Sequence, residues 1–284
     1  MKLTVDQFRA WKSKRVTLLG MSGVGKTYLS TLLRKYDWFH YSGDYRIGTR
    51  YLDEPILDLV KQQAMQVPFL RDLLRRDWIY IENNIKVDDL GPVLSFVGKP
   101  GDPERGGVPL EAFKRRQALY RDAEIAAMYD VPGFIRKARE IYGYQHFVND
   151  VGGSLCELEA PGVMELLVRE TLILYIQVTD PEEEAQLIRR AQSDPKPLYY
   201  HPDFLDGELA VYLREHDLQY AAEMDPDAFT RWVFPRLFTS RVPKYEAIAG
   251  PHGYTVTSQE VAAVSDERDF LELLETAIAR KASA

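Results

Sequence analysis

The chain has 284 residues, 45% of them hydrophobic and 28% charged, and 36 Lys and Arg against 43 Asp and Glu leave a net charge of −7. That is enough to bury a substantial core, and neither the acidic balance nor any block of like charges suits a nucleic-acid partner. A single cysteine, Cys156, excludes an intrachain disulfide, MKLTVDQFRAWKSKR lacks a leader's apolar stretch, and no apolar run reaches spanning length, so a cytoplasmic protein with no membrane segment is expected.

Thr4 and Gln7 have capping-box spacing, which predicts a short helix from about Val5 to Lys12 before a first strand, Arg15 to Leu19. GMSGVGKT, Gly20 to Thr27, then satisfies G-x-x-x-x-G-K-[ST]. Thr27 to Tyr36 has helical apolar spacing, and the aromatic run Trp38 to Tyr41 reads as a second strand. From Asp53 to Asn83 apolar residues recur at three and four, with Pro68 placed to open a second helix. GKPGDPERGGVP, Gly98 to Pro109, reads as an exposed polar loop. Pro109 is placed to open a helix to about Met128, and Pro132 another to Tyr142. HFVND, His146 to Asp150, is a strand that ends near the pair Gly152 and Gly153. TLILYIQV, Thr171 to Val178, is a continuous apolar run of the kind buried on both faces. Helices are predicted over Pro181 to Gln192, Asp203 to His216 and Asp227 to Phe238, then a short strand, YTVT, and a terminal helix, Asp266 to Ala279. Buried strands alternating with helices predict an α/β fold, three layers around a parallel sheet, in one domain spanning residues 1–284.

The glycine loop carries the clearest chemistry. A phosphate chain needs several backbone N–H donors converging on it, and glycine lets the backbone curl without a Cβ in the way. Gly20, Gly23 and Gly25 supply that freedom, and Ser22, Val24 and Tyr28 complete the expected cradle. Lys26 is placed to neutralise the β- and γ-phosphates at a helix N-terminus, and Thr27 to offer its hydroxyl to Mg²⁺, so ATP and Mg²⁺ are the expected cofactors. Without a nucleotide, Lys26 is expected to face solvent. No N-K-x-D stretch for guanine occurs, and no apolar strand ends in paired acids as in motor ATPases. The five histidines have no ligand spacing, so a zinc site has no basis.

Beyond the loop, the chain resembles the shikimate kinase and gluconate kinase branch of small-molecule P-loop kinases. YSGDYRIG places Asp44 where that branch has an aspartate facing the acceptor hydroxyl and the Mg²⁺ shell. YRDAE is similar to its F-R-x-x-E element, which implies Arg121 on an anionic acceptor group with Glu124 in support. VGGS resembles its glycine run, making Gly152 and Gly153 points of close substrate approach, with Ser154 for the third glycine. KPLYY looks like its lid, with Lys196 in the arginine's place and Arg189 and Arg190 just upstream, so residues 185–216 read as a lid region and the two arginines as catalytic. RVPKYEAIA resembles its R-x-P-x-Y-x-x-x-A helix, which implies an acceptor contact for Arg241. The chain departs from the branch in a helical insertion on the acceptor side, residues 51–108, and in the carboxylate of Asp150 before the glycine pair. These departures imply an acceptor other than shikimate.

Each residue also has a plainer reading: Asp44 as a turn residue, Asp150 as a helix cap rather than a metal-shell carboxylate, Arg121 as a solvated partner of Glu124. The expectation is ATP- and Mg²⁺-dependent transfer of a phosphoryl group to a small anionic metabolite or nucleotide-like acceptor, with Lys26 and the lid arginines on the phosphates. The alternatives are a regulatory P-loop ATPase whose insertion binds a protein partner, and a toxin-like kinase with a larger target. The insertion is expected to fold as a cap whose apolar face, from Ile56 to Leu74, packs on the core, and whose tip, Gly98 to Gly107, is mobile.

Overall fold

Thr4 closes a capping box: its hydroxyl accepts the Gln7 N–H at 3.2 Å, and the Gln7 side chain accepts the Thr4 N–H at 2.9 Å. The computed structural model describes residues 3–283. Helix α1 spans Val5–Ala10, strand β1 Arg15–Leu19, helix α2 Lys26–Leu33 and strand β2 Trp38–Ser42. A short helix α3 (Gly43–Arg46) and a π-helical turn (Ile47–Tyr51) lead into α4 (Asp53–Ala64), α5 (Pro68–Arg75) and α6 (Gly91–Val97). Helix α7 (Leu110–Glu140), β3 (His146–Asp150), α8 (Pro161–Glu170), β4 (Leu172–Gln177) and α9 (Pro181–Ser193) follow. The chain ends with α10 (Pro202–Glu215), α11 (Pro226–His252), β5 (Gly253–Thr257), α12 (Ser258–Ala262) and α13 (Glu267–Ala282).

The five strands form one parallel sheet in the order β2-β3-β1-β4-β5. Val16 to Leu19 and Leu172 to Ile176 are all buried, so both faces of the central strands are covered. Helices α2, α8, α12 and α13 pack on the sheet. A polar chain crosses its middle: Asn149 Nδ2 donates to Thr17 Oγ1 at 3.2 Å, that hydroxyl meets Thr171 Oγ1 at 2.8 Å, and Thr171 donates to the Leu167 carbonyl at 2.8 Å. All three side chains are fully buried.

Two predicted helix ends are corrected. Helix α7 runs through Pro132, and α11 runs past Phe238 through Pro235, Pro243 and Pro251. An interior proline removes one helical hydrogen bond and costs about 3 kcal/mol. Burial offsets it, through Ala127, Met128, Val131 and Ala138 on α7 and through Val233, Leu237, Tyr245 and Ala249 on α11. Helices α3, α6, α8 and α12, and the π-helical turn, lie outside the predicted elements.

The chain divides into two compact units. The first, holding the sheet, comprises the chain up to Gly43, residues Ile125–Pro195, and the chain from Arg231 on. The second comprises Asp44–Glu124 and Lys196–Thr230, and so contains the segment 51–108. Its two stretches are tied by Gln117, which accepts the Tyr200 N–H at 2.8 Å and donates to the Leu198 carbonyl at 3.2 Å, and by the Lys114–Asp206 pair at 2.6 Å.

The stretch from Gly98 to Val108 is not the free loop its composition suggested. Asp102 N–H donates to the Met224 carbonyl at 2.8 Å, Lys99 pairs with Asp227 and Arg105 with Asp225, each at 2.5 Å, and Val108 N–H returns to the Lys99 carbonyl at 2.8 Å. Backbone groups of a polar loop need partners as any others do, and here residues 224–227 supply them. The apolar face expected from Ile56 to Leu74 packs only in part. Ile56 is buried, but α5 buries none of its residues and Phe69 is 71% exposed. Among the described residues no helix is long and apolar enough to cross a membrane.

Candidate functional site

Parallel strands gather their C-terminal ends on one edge of a sheet, where helices then begin. Strand β1 is central, and its last residue, Leu19, leads directly into the glycine loop. Gly20, Gly23 and Gly25 have φ of 147°, 89° and 106°, in the left-handed region where a Cβ is strained. Space excludes one as well: a Cβ on Gly20 would lie 2.7 Å from the Ile176 carbonyl oxygen, and on Gly25 2.8 Å from Val261 Cγ1. Gly25 opens α2 with no side chain capping it, so the first N–H groups of that helix point to the loop with their partial positive charge. Ser22, Gly23, Thr27 and Tyr28 are exposed, while Val24 is buried beneath the loop.

Lys26 corrects an expectation. It is 7% exposed, and its ammonium donates to the Gly20 and Met21 carbonyls at 2.7 and 2.8 Å. From the start of a helix its side chain curls back onto carbonyls of its own loop. The arrangement keeps a positive charge inside the curl.

The loop's surroundings come from three segments of the same unit. From α9, Leu187 lies 3.1 Å from where a Gly23 Cβ would be. Arg190 is three residues further and shares that face, whereas Arg189 lies about 200° round the helix; both are exposed. From α12, Val261 packs on Gly25, and just beyond it the Val264 carbonyl accepts the Tyr28 hydroxyl at 2.8 Å. From the turn after β3, Gly153 approaches the Ser22 N–H, with its Cβ position 3.5 Å from that nitrogen, 3.6 Å from Arg241 and 3.7 Å from the Tyr245 hydroxyl. Gly152 is buried beside it. The structure therefore brings Gly153, Arg241 and the glycine loop together.

Arg241 is not idle there. It is almost wholly buried, its Nε donates to Glu157 Oε2 at 2.8 Å, and Lys244 holds the other carboxylate oxygen at 2.8 Å. Burial pushes the Glu157 carboxyl up, but the Arg241 charge and the hydrogen bonds from Lys244 and Arg241 together hold it below its ordinary value. Tyr245 donates to the Gly153 carbonyl and stacks on Tyr175 at 5.4 Å, which fixes the glycine turn. Burial, the largest influence, pushes the neighbouring Cys156 thiol up to about 11, so it is no nucleophile near neutral pH.

Asp150 ends β3 level with Leu18 of β1 and Ser42 of β2, on the edge where the loop begins. Its carboxylate is 3.7 Å from His40 Nε2. In the second unit, Asp44 accepts from the Tyr120 hydroxyl at 3.2 Å, Tyr120 stacks on Tyr199 at 6.0 Å, and Arg121 lies 3.6 Å from Asp122. Glu124 is fully buried and Lys196 is exposed.

Sequence reasoning passed over Glu157, Lys244, Tyr245, Leu187 and Val261. Tyr245 and Lys244 stood inside the quoted RVPKYEAIA stretch, so a signal existed. Glu157 had none, because its partner Arg241 lies 84 residues on.

Neither a protein-family model nor a curated protein matches the chain. Among solved structures, shikimate kinase from Bacteroides thetaiotaomicron aligns over 94% of this chain and 95% of its own at 16% identity, with a TM-score of 0.36.

Proposed function

We propose that the protein is a nucleoside-triphosphate-dependent phosphotransferase acting on a small anionic acceptor, with ATP as donor. The observation that carries this reading is the loop itself: three glycines in left-handed backbone at the end of a central strand, a lysine ammonium held inside the curl, and an uncapped helix N-terminus behind it. Such a site has donors and charge for a polyphosphate and little else. In this reading Lys26 exchanges the Gly20 and Met21 carbonyls for phosphate oxygens, and Arg190 closes positive charge over them. Asp44 orients the acceptor hydroxyl and takes its proton, with Tyr120 setting the carboxylate's direction. Arg241 meets the acceptor's anionic group, with Gly152 and Gly153 allowing close approach. The segment 51–108 is then an insertion that tunes acceptor choice, and residues 185–216 form a mobile lid region.

The hydroxyl of Thr27 and the carboxylates of Asp150 and Asp44 are hard oxygen donors that suit Mg²⁺. Among the described residues no three His, Cys, Asp or Glu are grouped for a metal ion. Mg²⁺ when bound supplies neutralisation of the phosphate charge.

A second reading, an ATPase that signals to a protein partner, is favoured by one observation. Phe69, Trp78 and Tyr80 of the segment 51–108 are 71%, 67% and 81% exposed, apolar surface that a partner would cover. One experiment separates the two. A metabolite pool is screened for ATP-dependent phosphorylation with the wild type and with Lys26→Ala. Phosphorylation lost in Lys26→Ala supports transfer to a metabolite. No labelled metabolite, together with nucleotide-dependent protein association, turns the reading to the second, and failure of the wild type to bind ATP removes both.

A further inference from the structure

Where β1 and β3 begin, at the opposite edge of the sheet from the glycine loop, a cavity of about 340 Å³ is lined by Trp11, Arg15, Arg136, Arg139, Tyr144 and His146, among others. Strand β1 separates its two ends: Arg15 opens it, and the loop begins after Leu19, about 16 Å away at the usual strand rise. No step of the proposed reaction uses this cavity.

Its charge runs against that of the chain. Three guanidinium groups line it against one carboxylate, Glu140, in a protein of net charge −7. Arg136 and Arg139 lie three residues apart near the end of α7, so they share a face. Cations there are favoured by the helix dipole alone. Arg15 opens β1, where no helix dipole acts, and it faces Glu170 on one side. Its NH1 is 3.6 Å from Glu170, and its guanidinium carbon lies 5.7 Å from the centre of the Trp11 ring, while its Nε–H is buried with no hydrogen-bond partner. A guanidinium lying over an aromatic ring keeps its N–H edge for an oxyanion. The imidazole of His146 accepts the Lys14 N–H at 3.0 Å, and burial, with the Lys14 charge, lowers its pKa, so the ring stays neutral and the arginines set the charge.

We propose that this cavity is a second ligand site that takes a small aromatic oxyanion, a carboxylate or a phosphate monoester, its anionic group between Arg15, Arg136 and Arg139 and its ring against Tyr144 and Ile135. The volume is at the lower end for small-molecule sites, which suits a single ring rather than a nucleotide.

Isothermal titration calorimetry with phenyl phosphate and with benzoate tests this on three forms of the protein: the wild type, Lys26→Ala, and Arg136→Gln with Arg139→Gln. Both arginines are exposed, so the double variant keeps its core. At least one of the two anions should bind the wild type and Lys26→Ala alike, and bind the double variant at least tenfold more weakly. Which anion binds tells phosphate from carboxylate. Binding that Lys26→Ala removes, binding that the double variant retains at full strength, or no binding of either anion to the wild type overturns the proposal.

Discussion

Glu157 sits in SLCELEA, where nothing in the sequence marks it, yet it holds Arg241 and Lys244 at one buried point beside the glycine turn. Its folded carboxyl lies below the ordinary 4.5. The stability this contributes is therefore fully present above pH 4.5 and is lost as pH falls through the folded value. Glu157→Gln leaves the buried Arg241 guanidinium without its counter-charge, which should cost about 3–5 kcal/mol at pH 7. Urea denaturation checks this across pH. The deficit should shrink as pH falls below 4.5 toward the carboxyl's folded pKa, because the unfolded wild-type chain then takes up a proton that the folded ion pair resists. A deficit that stays constant from pH 7 to pH 3 would refute the ionic account. The motif marked the place of Lys26 in the loop but not its burial, and it gave no sign of Glu157, since a motif records neighbours along the chain and the Glu157 pair joins residues that only the fold brings together.

Elements were legible where their signal was local. The capping box of α1, the apolar run of β4 and the strand of HFVND all form where the sequence placed them. What failed was punctuation by proline and glycine. Proline ends an isolated helix, but α7 and α11 keep going because apolar neighbours on either side of each proline remain buried. The run of Gly and Pro from Gly98 to Pro109 suggested mobility, and its partners at residues 224–227 were invisible from its own composition. Hydrogen–deuterium exchange gives the prediction at this scale. The amides of Asp102, Gly107 and Val108, each hydrogen-bonded to a backbone carbonyl, should exchange at least tenfold more slowly than that of Glu104, which reaches only the Asp102 side chain at 2.9 Å. Equal, fast exchange throughout would restore the mobile tip.

For the whole molecule, the second unit is discontinuous in sequence, and its two stretches share the Gln117 hydrogen bonds and the ion pairs of Lys99, Arg105 and Lys114. Neither stretch holds all the partners its buried polar groups need. Residues 44–124 produced alone should show no cooperative thermal transition by circular dichroism, and co-expression with residues 196–230 should restore one. A sharp transition from 44–124 alone would show that the second stretch is dispensable. In the first unit, the chain of hydroxyls and amide from Asn149 through Thr17 to Thr171 has a different consequence. Because Thr171 gives its proton to Leu167 and Asn149 gives one to Thr17, each hydroxyl in the row has a single orientation. Moving β1 by one residue against β3 or β4 would turn Thr17 to the opposite face and strand its neighbours in an apolar interior. The row works as a key cut across β3, β1 and the entry to β4: it admits one alignment, and that alignment sets Asp150 and the glycine loop level at the same edge of the sheet.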